Sequence, residues 1–415
     1  MQNLGGKGGS VLIYRVIMAC ALPLLIGFSL FQRLRGRVGA GALAERLGFG
    51  SVPEPGPTLW LHGASNGELT SARWLLDQIM AQRPGLRVLV TANTATARAM
   101  VAGWGLPGVV ATLAPFDTAG AAARVLARWR PGAFLVVENE LWPGRLSQSA
   151  RRGVPVALIG ARMSARTAAG WARLAPRLMR QMLGGLALVS AQDDASQRRL
   201  VDLGLDPARL GPVVMLKSHG LTVGGSTTPL PRHRVLLAAS THPGDEAMIL
   251  HAFAAARGQF DLLILAPRHP RRSAEVAVTI TAAGMTFTRR SDGAMPGAAP
   301  VFLADTLGEM PIWYGMAGVT VIGGSFAALG GHTPYEPAAA ASAIVHGPDM
   351  ANFAAPARAL AAATAALRVE AQHLAAALAG LSPERQRAMA QMAQGVLAPD
   401  GDAEALVAAI LGLLR

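Results

Sequence analysis

WLHGASNGELTSARWLL, residues 60–76, contains a short apolar run, a turn of small residues and the start of a helix. A strand followed by a tight turn and a helix is the unit from which parallel α/β sheets are built. Glu68 lies where the turn gives way to the helix, and its carboxylate has two interpretations. It could stabilise the first helical turn through the helix dipole, or it could act as the base of an enzyme.

The same pattern recurs along the rest of the chain. Short apolar runs that end in turn signals predict buried parallel strands, and Ala/Arg/Leu-rich stretches such as 69–82 and 119–130 predict crossover helices. The predicted strands of the first half are TLWLHGA, RVLVTAN, GVVATLAP, AFLVVENE, VPVALIGA and LALVSAQ, and those of the second half are RVLLAAS, DLLILAPRHP, MTFTRR, PVFLAD, VTVIGGS and SAIVHG. The sequence therefore predicts two Rossmann-like halves, with a ligand-binding cleft between them.

The domain boundaries follow from shifts in composition. A Gly-, Thr- and Pro-rich stretch separates the two halves and has the composition of a linker. We predict a membrane anchor in residues 1–35, a first Rossmann-like domain in 36–217, the linker in 218–232 and a second Rossmann-like domain in 233–415. The last of these is expected to include the closing C-terminal helices.

The bulk composition excludes several classes of protein. A chain of 415 residues with 51% hydrophobic and 15% charged residues is typical of a globular α/β protein with more than one domain, not of a disordered one. The net charge of +13 favours anionic partners. Nucleic acid is not expected, because aromatic residues total only 5% and no basic stripe carries them. Cys20 is the single cysteine, which excludes an intrachain disulfide and a cysteine metal site.

The N-terminal segment predicts membrane association. Residues 11–31 read VLIYRVIMACALPLLIGFSLF, with Arg15 as the only charge, and are long enough to span a bilayer core. Arg15 and Pro23 disfavour a simple span, so the segment could instead lie in the interface. A cleaved signal peptide and a buried core helix are the alternatives. The basic residues that follow would hold this end in the cytoplasm: Arg33, Arg35 and Arg37.

In the second half, polar and glycine-rich segments follow the predicted strands. They are ASTHPGDE (239–246), APRHPRR (266–272), ADTLGEM (304–310) and GGSFAALGGHTPYEP (323–337). The carboxyl ends of parallel strands are where open α/β sheets bind ligands, and glycines let backbone amides approach an anion. A nucleotide site is therefore predicted here. Arg268 could pair with a phosphate, and Glu309 or Glu336 could accept hydrogen bonds from sugar hydroxyls.

Other motifs argue for chemistry that needs no metal. The sequence has no G-x-G-x-x-G between a strand and a helix, no P-loop, no H-E-x-x-H and no D-x-D pair. Asp193 and Asp194 in QDDAS more simply cap a helix. Glu138 and Glu140 follow the apolar run AFLVV and need partners or water there. Either of them could be a structural ion pair with one of the many arginines.

Several motifs together resemble one known family. HGASNGE, VENELWP, GARMSARTAAGWARL, SAQDDASQRRLVDLG, AASTHPGDE, APRHPRR, DTLGEMPIWYGMAGVTVIGGSF and GGHTPYEP occur in this order. They resemble the transferases of Gram-negative bacteria that move 3-deoxy-D-manno-octulosonic acid (Kdo) from CMP-Kdo to a lipid A precursor, over nearly the whole chain to about Phe353. The resemblance implies a GT-B glycosyltransferase fold and an inverting transfer without metal or cofactor. It also implies lipid IVA as acceptor and the cytoplasmic face of the inner membrane as location.

The resemblance also implies roles for the two domains and for individual residues. It implies that the first Rossmann-like domain binds the acceptor and the second the nucleotide. Glu68 falls on the general base, while Glu138 and Lys217 fall on residues that stabilise the transition state. The contacts to the CMP moiety of the donor fall on Pro267, Arg268, Leu307, Gly308, Glu309, Thr333, Pro334, Tyr335 and Glu336. The basic surplus fits an acceptor that carries phosphates and a membrane surface with anionic lipids, with Arg162 and Arg166 as candidate acceptor contacts.

Two other functions remain open at the level of sequence. A sugar-nucleotide epimerase would keep the fold but would have no use for a membrane anchor. A non-catalytic membrane protein that binds a glycolipid would not require Glu68, Glu138 and Arg268 to be intact.

Overall fold

The computed structural model describes residues 9–51, 56–221, 224, 229–399 and 402–414. It divides into two compact units, the first formed by Met1–Gly220 with Pro399–Arg415 and the second by Leu221–Ala398. Residues 222–223 and 225–228 of the predicted linker, and the first eight residues of the predicted anchor, lie outside the described part of the chain.

Each unit contains a parallel sheet. The strands are β1 Thr58–Gly63, β2 Arg87–Ala92, β3 Val109–Leu113, β4 Ala133–Val137, β5 Val156–Ala161, β6 Leu188–Ala191, β7 Val235–Thr241, β8 Leu262–Pro267, β9 Phe287–Arg289, β10 Val301–Leu303, β11 Val319–Ile322, β12 Ala343–His346 and β13 Ala366–Arg368. Their order is β3-β2-β1-β4-β5-β6 in the first unit and β13-β12-β11-β7-β8-β10-β9 in the second. The first order is that of a dinucleotide-binding Rossmann sheet.

Helices cover the sheets. They are α1 Gly9–Leu34, α2 Ala42–Arg46, α3 Asn66–Gln82, α4 Ala95–Ala102, α5 Ala119–Trp129, α6 Pro143–Arg151, α7 Ala165–Leu174, α8 Pro176–Leu183, α9 Asp194–Asp202, α10 Asp245–Ala255, α11 Ser273–Ala282, α12 Met310–Met316, α13 Tyr335–Ala339, α14 Ala354–Ala362, α15 Leu374–Ala379, α16 Pro383–Val396 and α17 Asp402–Leu413. As predicted, Asp193 caps a helix: its Oδ1 accepts a hydrogen bond of 2.6 Å from the backbone of Ser196 at the start of α9.

The alternation of side chains along β1 explains the layered core of the first unit. Leu59 and Leu61 pack with Leu69 of α3 on one side of the sheet, whereas Trp60 points to the other side. There the Trp60 ring stacks on Phe134 with ring centroids 4.0 Å apart. Because every residue of β1 is buried, this strand must be covered on both faces, as in a doubly wound sheet.

The predicted two-sheet α/β architecture is confirmed, and each of the twelve predicted strands is present. The additional strand β13 has only three residues, Ala-Leu-Arg, and lies at the edge of its sheet. A segment so short carries no periodicity that distinguishes a strand from a loop.

The last helix lies in a different unit from the one that the sequence suggested. The sequence placed all of 233–415 in the second domain, but Leu406, Val407 and Ile410 of α17 join the core of the first unit. The Arg83 guanidinium at the end of α3 also donates a hydrogen bond of 3.3 Å to the carbonyl of Leu414. The sequence predicts closing helices at this end of the chain, whereas the core that α17 covers is set by tertiary packing.

Helix α1 is long and apolar enough to cross a membrane. Its span Val11–Leu34 has 24 residues, and the most apolar window of 18 residues within it has a mean hydropathy of 2.2 and is only 6% buried. The start of α1 contacts the first unit through polar side chains. The Tyr14 hydroxyl donates to Asp117 at 2.8 Å, and the Arg15 guanidinium donates to the Ser147 hydroxyl at 3.1 Å.

Candidate active site

Glu68 lies in the first turn of α3, immediately after the carboxyl end of β1. Ser65 is the N-cap of this helix, and its hydroxyl donates to the Glu68 carboxylate at 3.1 Å. The other carboxylate oxygen accepts a hydrogen bond of 2.7 Å from the backbone N–H of Ala64. This is a capping-box arrangement, in which a glutamate three residues after the N-cap reaches back to the backbone. Gly63 lets α3 pack closely against the end of β1, because a Cβ there would lie 2.9 Å from the Leu69 side chain.

The cap does not exclude a role as base. Burial raises the pKa of Glu68 to about 7, and the negative charges of Glu138 and Glu140 act in the same direction. The hydrogen bonds from Ala64 and Ser65 oppose this rise without cancelling it. A carboxylate with a pKa near the working pH is suited to general base catalysis, since it is deprotonated and still basic enough to accept a proton. Glu68 can therefore serve as cap and base together.

Glu138 adopts an unusual backbone conformation directly after β4. Its φ is +56°, in the left-handed region that non-glycine residues rarely occupy, and its backbone N–H donates to the carbonyl of Ile159 at 2.9 Å. Strain of this kind is characteristic of functional sites, where the surroundings impose it. The conformation turns the chain sharply at the end of the strand and presents the Glu138 carboxylate to Lys217.

Lys217 forms an ion pair with Glu138, with 2.8 Å between Nζ and Oε1. Both side chains are partly accessible, 30% for Lys217 and 18% for Glu138. The short turn that carries Lys217 is tied to α3, because the Trp74 indole donates to the carbonyl of Leu216 at 3.1 Å. The same helix thus carries Glu68 and anchors the lysine. The structure brings together the three residues predicted as catalytic.

Glu140 is part of a more deeply buried network. Its Oε2 accepts hydrogen bonds from the Trp142 indole at 2.7 Å and from the Asn93 amide at 3.0 Å. Burial would raise the pKa of Glu140, but the neighbouring His62 ring and the hydrogen bonds from Trp142 and Asn93 outweigh it and lower that pKa. Glu140 therefore remains a charged neighbour of Glu68 and is too weak a base to replace it.

His62, at the end of β1, connects Glu140 to Arg145. Burial and the positive charge of Arg145 lower the pKa of His62 to about 4, so that the imidazole is neutral at pH 7. Its Nε2 lies 2.8 Å from Arg145 Nη1, which can only donate, and its Nδ1 lies 3.0 Å from the carbonyl of Thr91, which can only accept. The proton is therefore on Nδ1. The same Nε2 lies 3.3 Å from Glu140 Oε2, so that the ring sits between the carboxylate and the guanidinium.

Asp117 provides the charge that balances Arg145. Both side chains are almost fully buried, and the Arg145 Nε lies 3.8 Å from Asp117 Oδ1. The carboxylate also accepts the backbone N–H groups of Gly144 at 2.6 Å and Arg145 at 2.7 Å, at the start of α6. Gly144 must be small here, since a Cβ would lie 2.5 Å from the carbonyl of Asp117.

Replacement of Asp117 tests the importance of this network. We expect Asp117→Ala to lower the free energy of unfolding by about 3–5 kcal/mol, because it leaves the Arg145 guanidinium buried without its counter-charge. Denaturant unfolding of the purified protein would measure the loss. As the matched control, Glu384→Ala removes one partner of the exposed pair between Glu384 and Arg387 and should leave the unfolding midpoint unchanged. Equal midpoints for Asp117→Ala and wild type would contradict this account.

The second unit collects the predicted nucleotide contacts at one edge of its sheet. Pro267 is the last residue of β8 and is buried, while the following Arg268 is exposed. The segments 307–309 and 333–336 follow β10 and β11. Strands β11, β7, β8 and β10 are adjacent in the sheet, so that their carboxyl ends form one continuous edge.

The two glutamates of this group have different surroundings. The Arg290 guanidinium binds the Glu309 carboxylate with contacts of 2.8–3.0 Å, and the Thr306 hydroxyl donates to the same carboxylate. The hydrogen bonds from Arg290 lower the pKa of Glu309, which is therefore an acceptor that is already partly engaged. The Glu336 carboxylate lies 3.5 Å from the Tyr314 hydroxyl.

The remaining predicted contacts range from exposed to buried. Leu307 is 66% exposed, and Gly308 has a φ of +87°. Thr333 and Pro334 lead into α13, where the Thr333 hydroxyl accepts the backbone N–H of Tyr335 at 3.3 Å. Tyr335 itself is buried. Among the described residues, no group of three or more His, Cys, Asp or Glu side chains is arranged to hold a metal ion.

Sequence reasoning missed the role of three buried residues. His62, Asp117 and Arg145 are brought together from three separate segments, and each on its own has an ordinary structural interpretation. A histidine at the end of an otherwise apolar strand was the one available signal. The alternative interpretation, in which Glu138 forms an ion pair with an arginine, does not match the structure, where Glu138 pairs with Lys217.

The chain was compared with known proteins. Residues 41–219 match the family model described as 3-deoxy-D-manno-octulosonic-acid transferase (kdotransferase). The 3-deoxy-D-manno-octulosonic acid transferase of Bordetella pertussis is 36% identical over 86% of this chain and 87% of its own. The enzyme of the same name from Haemophilus influenzae is 30% identical over 82% of each chain.

A solved structure supports the fold. The UDP-GlcNAc 2-epimerase of Neisseria meningitidis, bound to UDP-GlcNAc, superposes with a TM-score of 0.57 over 86% of this chain and 100% of its own. At 13% identity this likeness concerns the fold alone. The two parallel-sheet α/β units therefore have the architecture of GT-B proteins, while the sequence relatives identify the family. On these grounds the chain belongs to the Kdo transferase family.

Proposed function

We propose that this protein is an inverting glycosyltransferase that moves Kdo from CMP-Kdo to the lipid A precursor lipid IVA in lipopolysaccharide biosynthesis. The family supports the sugar and the type of reaction. One observation supports the chemistry most directly, namely the partly buried Glu68, with a pKa near 7, held at the end of β1. The charged neighbours Glu138 and Lys217 complete the group within the same unit.

In the proposed reaction, Glu68 accepts the proton of the attacking acceptor hydroxyl. The hydroxyl oxygen forms a bond to the anomeric carbon of Kdo on one face, while the bond from that carbon to the CMP phosphate oxygen breaks on the other. Configuration is therefore inverted. Loss of the proton as the bond forms makes the hydroxyl a better nucleophile, so Glu68 lowers the barrier as a general base.

Lys217 supplies positive charge where the transition state develops negative charge. Its ammonium group is held by Glu138 at 2.8 Å, which fixes its position before substrate binds. Arg268 is proposed to bind the donor phosphate, with the segments 307–309 and 333–336 around the nucleotide. These groups belong to the chain itself, so we propose that no metal ion takes part.

Removal of metals tests that last point. We expect wild-type transfer to continue at an unchanged rate after dialysis against a chelator, because Lys217 and Arg268 provide the charge that a metal would supply. The measurement is the initial rate of CMP release with and without added Mg²⁺, using donor prepared in advance so that the donor-forming enzyme is absent. A rate that drops with chelation and returns with Mg²⁺ would contradict the proposal.

We further propose that α1 holds the protein at the cytoplasmic face of the inner membrane, where the lipid acceptor is. Its apolar surface supports insertion, and Arg33, Arg35 and Arg37 follow or close the helix at the end expected to remain cytoplasmic. These arginines would also attract anionic lipids. The acceptor phosphates would meet the basic residues of the first unit, with Arg162 and Arg166 as candidates.

A transfer assay tests the proposed function. The purified chain is given CMP-Kdo, generated in situ, and a tetra-acylated lipid A precursor, and the lipid product is weighed by mass spectrometry. A gain of one or more Kdo masses, with release of CMP, is the expected result. A reaction without the lipid provides the background of donor hydrolysis. If no lipid acceptor gains mass, the transferase function is wrong for this chain.

A further inference from the structure

Three histidines gather at the nucleotide edge of the second sheet, outside the residues discussed so far. His242 follows β7 closely, His269 follows β8, and His332 lies in the loop after β11. The Nε2 atoms of His242 and His332 are 2.9 Å apart, and the two rings are parallel within 4°. The His269 ring meets His242 edge-on, at 86° and a centroid distance of 6.1 Å.

The backbone brings these rings together. The Asp245 carboxylate accepts the N–H groups of His242 at 3.0 Å and Gly324 at 2.8 Å, which ties the loops after β7 and β11. Gly331, next to His332, donates from its N–H to the carbonyl of Gly324 at 3.0 Å. Gly324 has a φ of +67°, and a Cβ there would lie 3.2 Å from the His242 ring. Only glycine suits both its conformation and this close approach.

The charges that act on His332 are positive, whereas His242 also lies within reach of the Asp245 carboxylate. Those acting on His332 come from Arg268, His242 and His269. The segment after β8 supplies most of the cationic groups nearby: Arg268, His269, Arg271 and Arg272. The two carboxylates after β7 are engaged elsewhere. Asp245 binds the backbone amides described above, and Glu246 accepts from the Thr241 hydroxyl at 2.8 Å and from Arg272 at 2.7 Å.

The His332 ring is neutral at pH 7. Burial lowers the pKa of His332 to about 4, and the positive charges of Arg268 and His242 add to this effect. The 2.9 Å between the two facing Nε2 atoms leaves room for only one hydrogen between them. A bound anion would reverse the balance, because it favours a second proton and accepts a hydrogen bond from each ring.

We propose that His242 and His332 form a binding site for an oxyanion of the nucleotide-sugar donor, and that the pair takes up one proton when the anion binds. The oxyanion is the phosphate of the CMP moiety or the carboxylate of the sugar acid. This inference rests on the proposed function. It adds two residues to the proposed donor contacts, and their role is to bind the negatively charged group of the donor and neutralise its charge. Arg268 and His269 lie beside this histidine pair and share its attraction for the anion.

Isothermal titration of the full-length protein in detergent with CMP tests the inference. Titration at pH 7.5 in two buffers of different ionisation enthalpy gives both Kd and the number of protons taken up. We expect His242→Gln and His332→Gln to raise the Kd for the ligand that carries the bound oxyanion, CMP or free Kdo, by about 10- to 100-fold, as the loss of a hydrogen bond to a charged group would, and to lower proton uptake. His251→Gln, at an exposed position of α10, is the matched control and should bind CMP as wild type does.

Two further ligands identify the source of the oxyanion. Cytidine lacks the phosphate and should bind equally to wild type and both variants, whereas free Kdo carries only the carboxylate. A loss confined to CMP assigns the pair to phosphate, and a loss confined to Kdo assigns it to carboxylate. Unchanged Kd values, within about twofold, for both CMP and Kdo would overturn the inference. If wild type binds CMP, and the variants bind both CMP and Kdo as tightly as wild type does, CMP-Kdo remains the proposed donor but the histidine pair is not part of its binding site.

A second measurement uses the wild type alone and so does not depend on the folding of any variant. With ¹⁵N-labelled histidine, the ring nitrogen resonances report protonation directly. Addition of saturating CMP, or Kdo if the site is for carboxylate, should move the signals of the pair towards the imidazolium position at pH 7.5. Rings that stay neutral with both ligands would overturn the inference. A wild type that binds no CMP at all would overturn the proposed donor together with it.

Discussion

Glu68→Gln should lower the rate of Kdo transfer by about 10²- to 10⁴-fold, the range that a general base contributes. Glutamine cannot accept the proton of the acceptor hydroxyl. It can, however, replace glutamate in a capping box, since its side-chain oxygen can accept the hydrogen bond from the N–H of Ala64. The variant therefore removes the base and keeps the cap. The measurement is kcat for transfer, together with the Kd for CMP, which should not change.

Glu68→Ala separates the two roles of this carboxylate. It should lose as much activity as the glutamine variant and in addition about 1 kcal/mol of stability, because the capping interaction disappears as well. Thermal unfolding of the three proteins measures this difference. If Glu68→Gln transfers Kdo at a wild-type rate, the carboxylate is only a cap and another residue is the base.

Lys217→Ala is the second substitution with a large expected effect. Loss of its positive charge should lower kcat by about 10²- to 10³-fold, comparable to the loss of one preorganised donor to a developing charge. Lys217→Arg should recover only part of the rate, since a planar guanidinium does not occupy the position of an ammonium group 2.8 Å from Glu138. Single-turnover rates at saturating donor are the appropriate measurement.

The partner of Lys217 supplies the control. Glu138→Gln leaves a side chain of the same shape but removes the charge that holds the lysine. If the pair acts as a unit, the double variant Glu138→Gln/Lys217→Ala should be about as slow as Lys217→Ala alone. Fully additive losses would mean that the two residues act independently and that the observed ion pair has no part in catalysis.

Much of the architecture was predictable because it depends on local patterns. Buried parallel strands appear as short apolar runs, and the turn after β1 ends in the Ser65-x-x-Glu68 signature of a helix start. The position of the nucleotide segments after β8, β10 and β11 follows from the chain order of those strands. These features can be predicted without knowing which distant segments of the chain are in contact.

The rest of the site depends on contacts between segments that are distant in sequence. The proton position on His62 follows from Arg145 and Thr91, which are distant from it in sequence. The φ of +56° at Glu138 has no signature in the residue type, because glutamate normally avoids that region. The partner of Lys217 and the core covered by α17 likewise depend on tertiary packing. The pattern of apolar residues predicts that a helix face is buried, but it does not predict which part of the protein covers that face.

The pH dependence of transfer tests the central claim most directly. Because the deprotonated form of Glu68 is the active one and its pKa is raised to about 7, kcat/KM should fall roughly tenfold per pH unit below that value and level off above it. The residual activity of Glu68→Gln, measured from pH 5.5 to 9, should lack this step and thereby account for any titration of the substrates. A wild-type profile that is flat between pH 5.5 and 9, or a step that persists in Glu68→Gln, would contradict the assignment of Glu68 as the base.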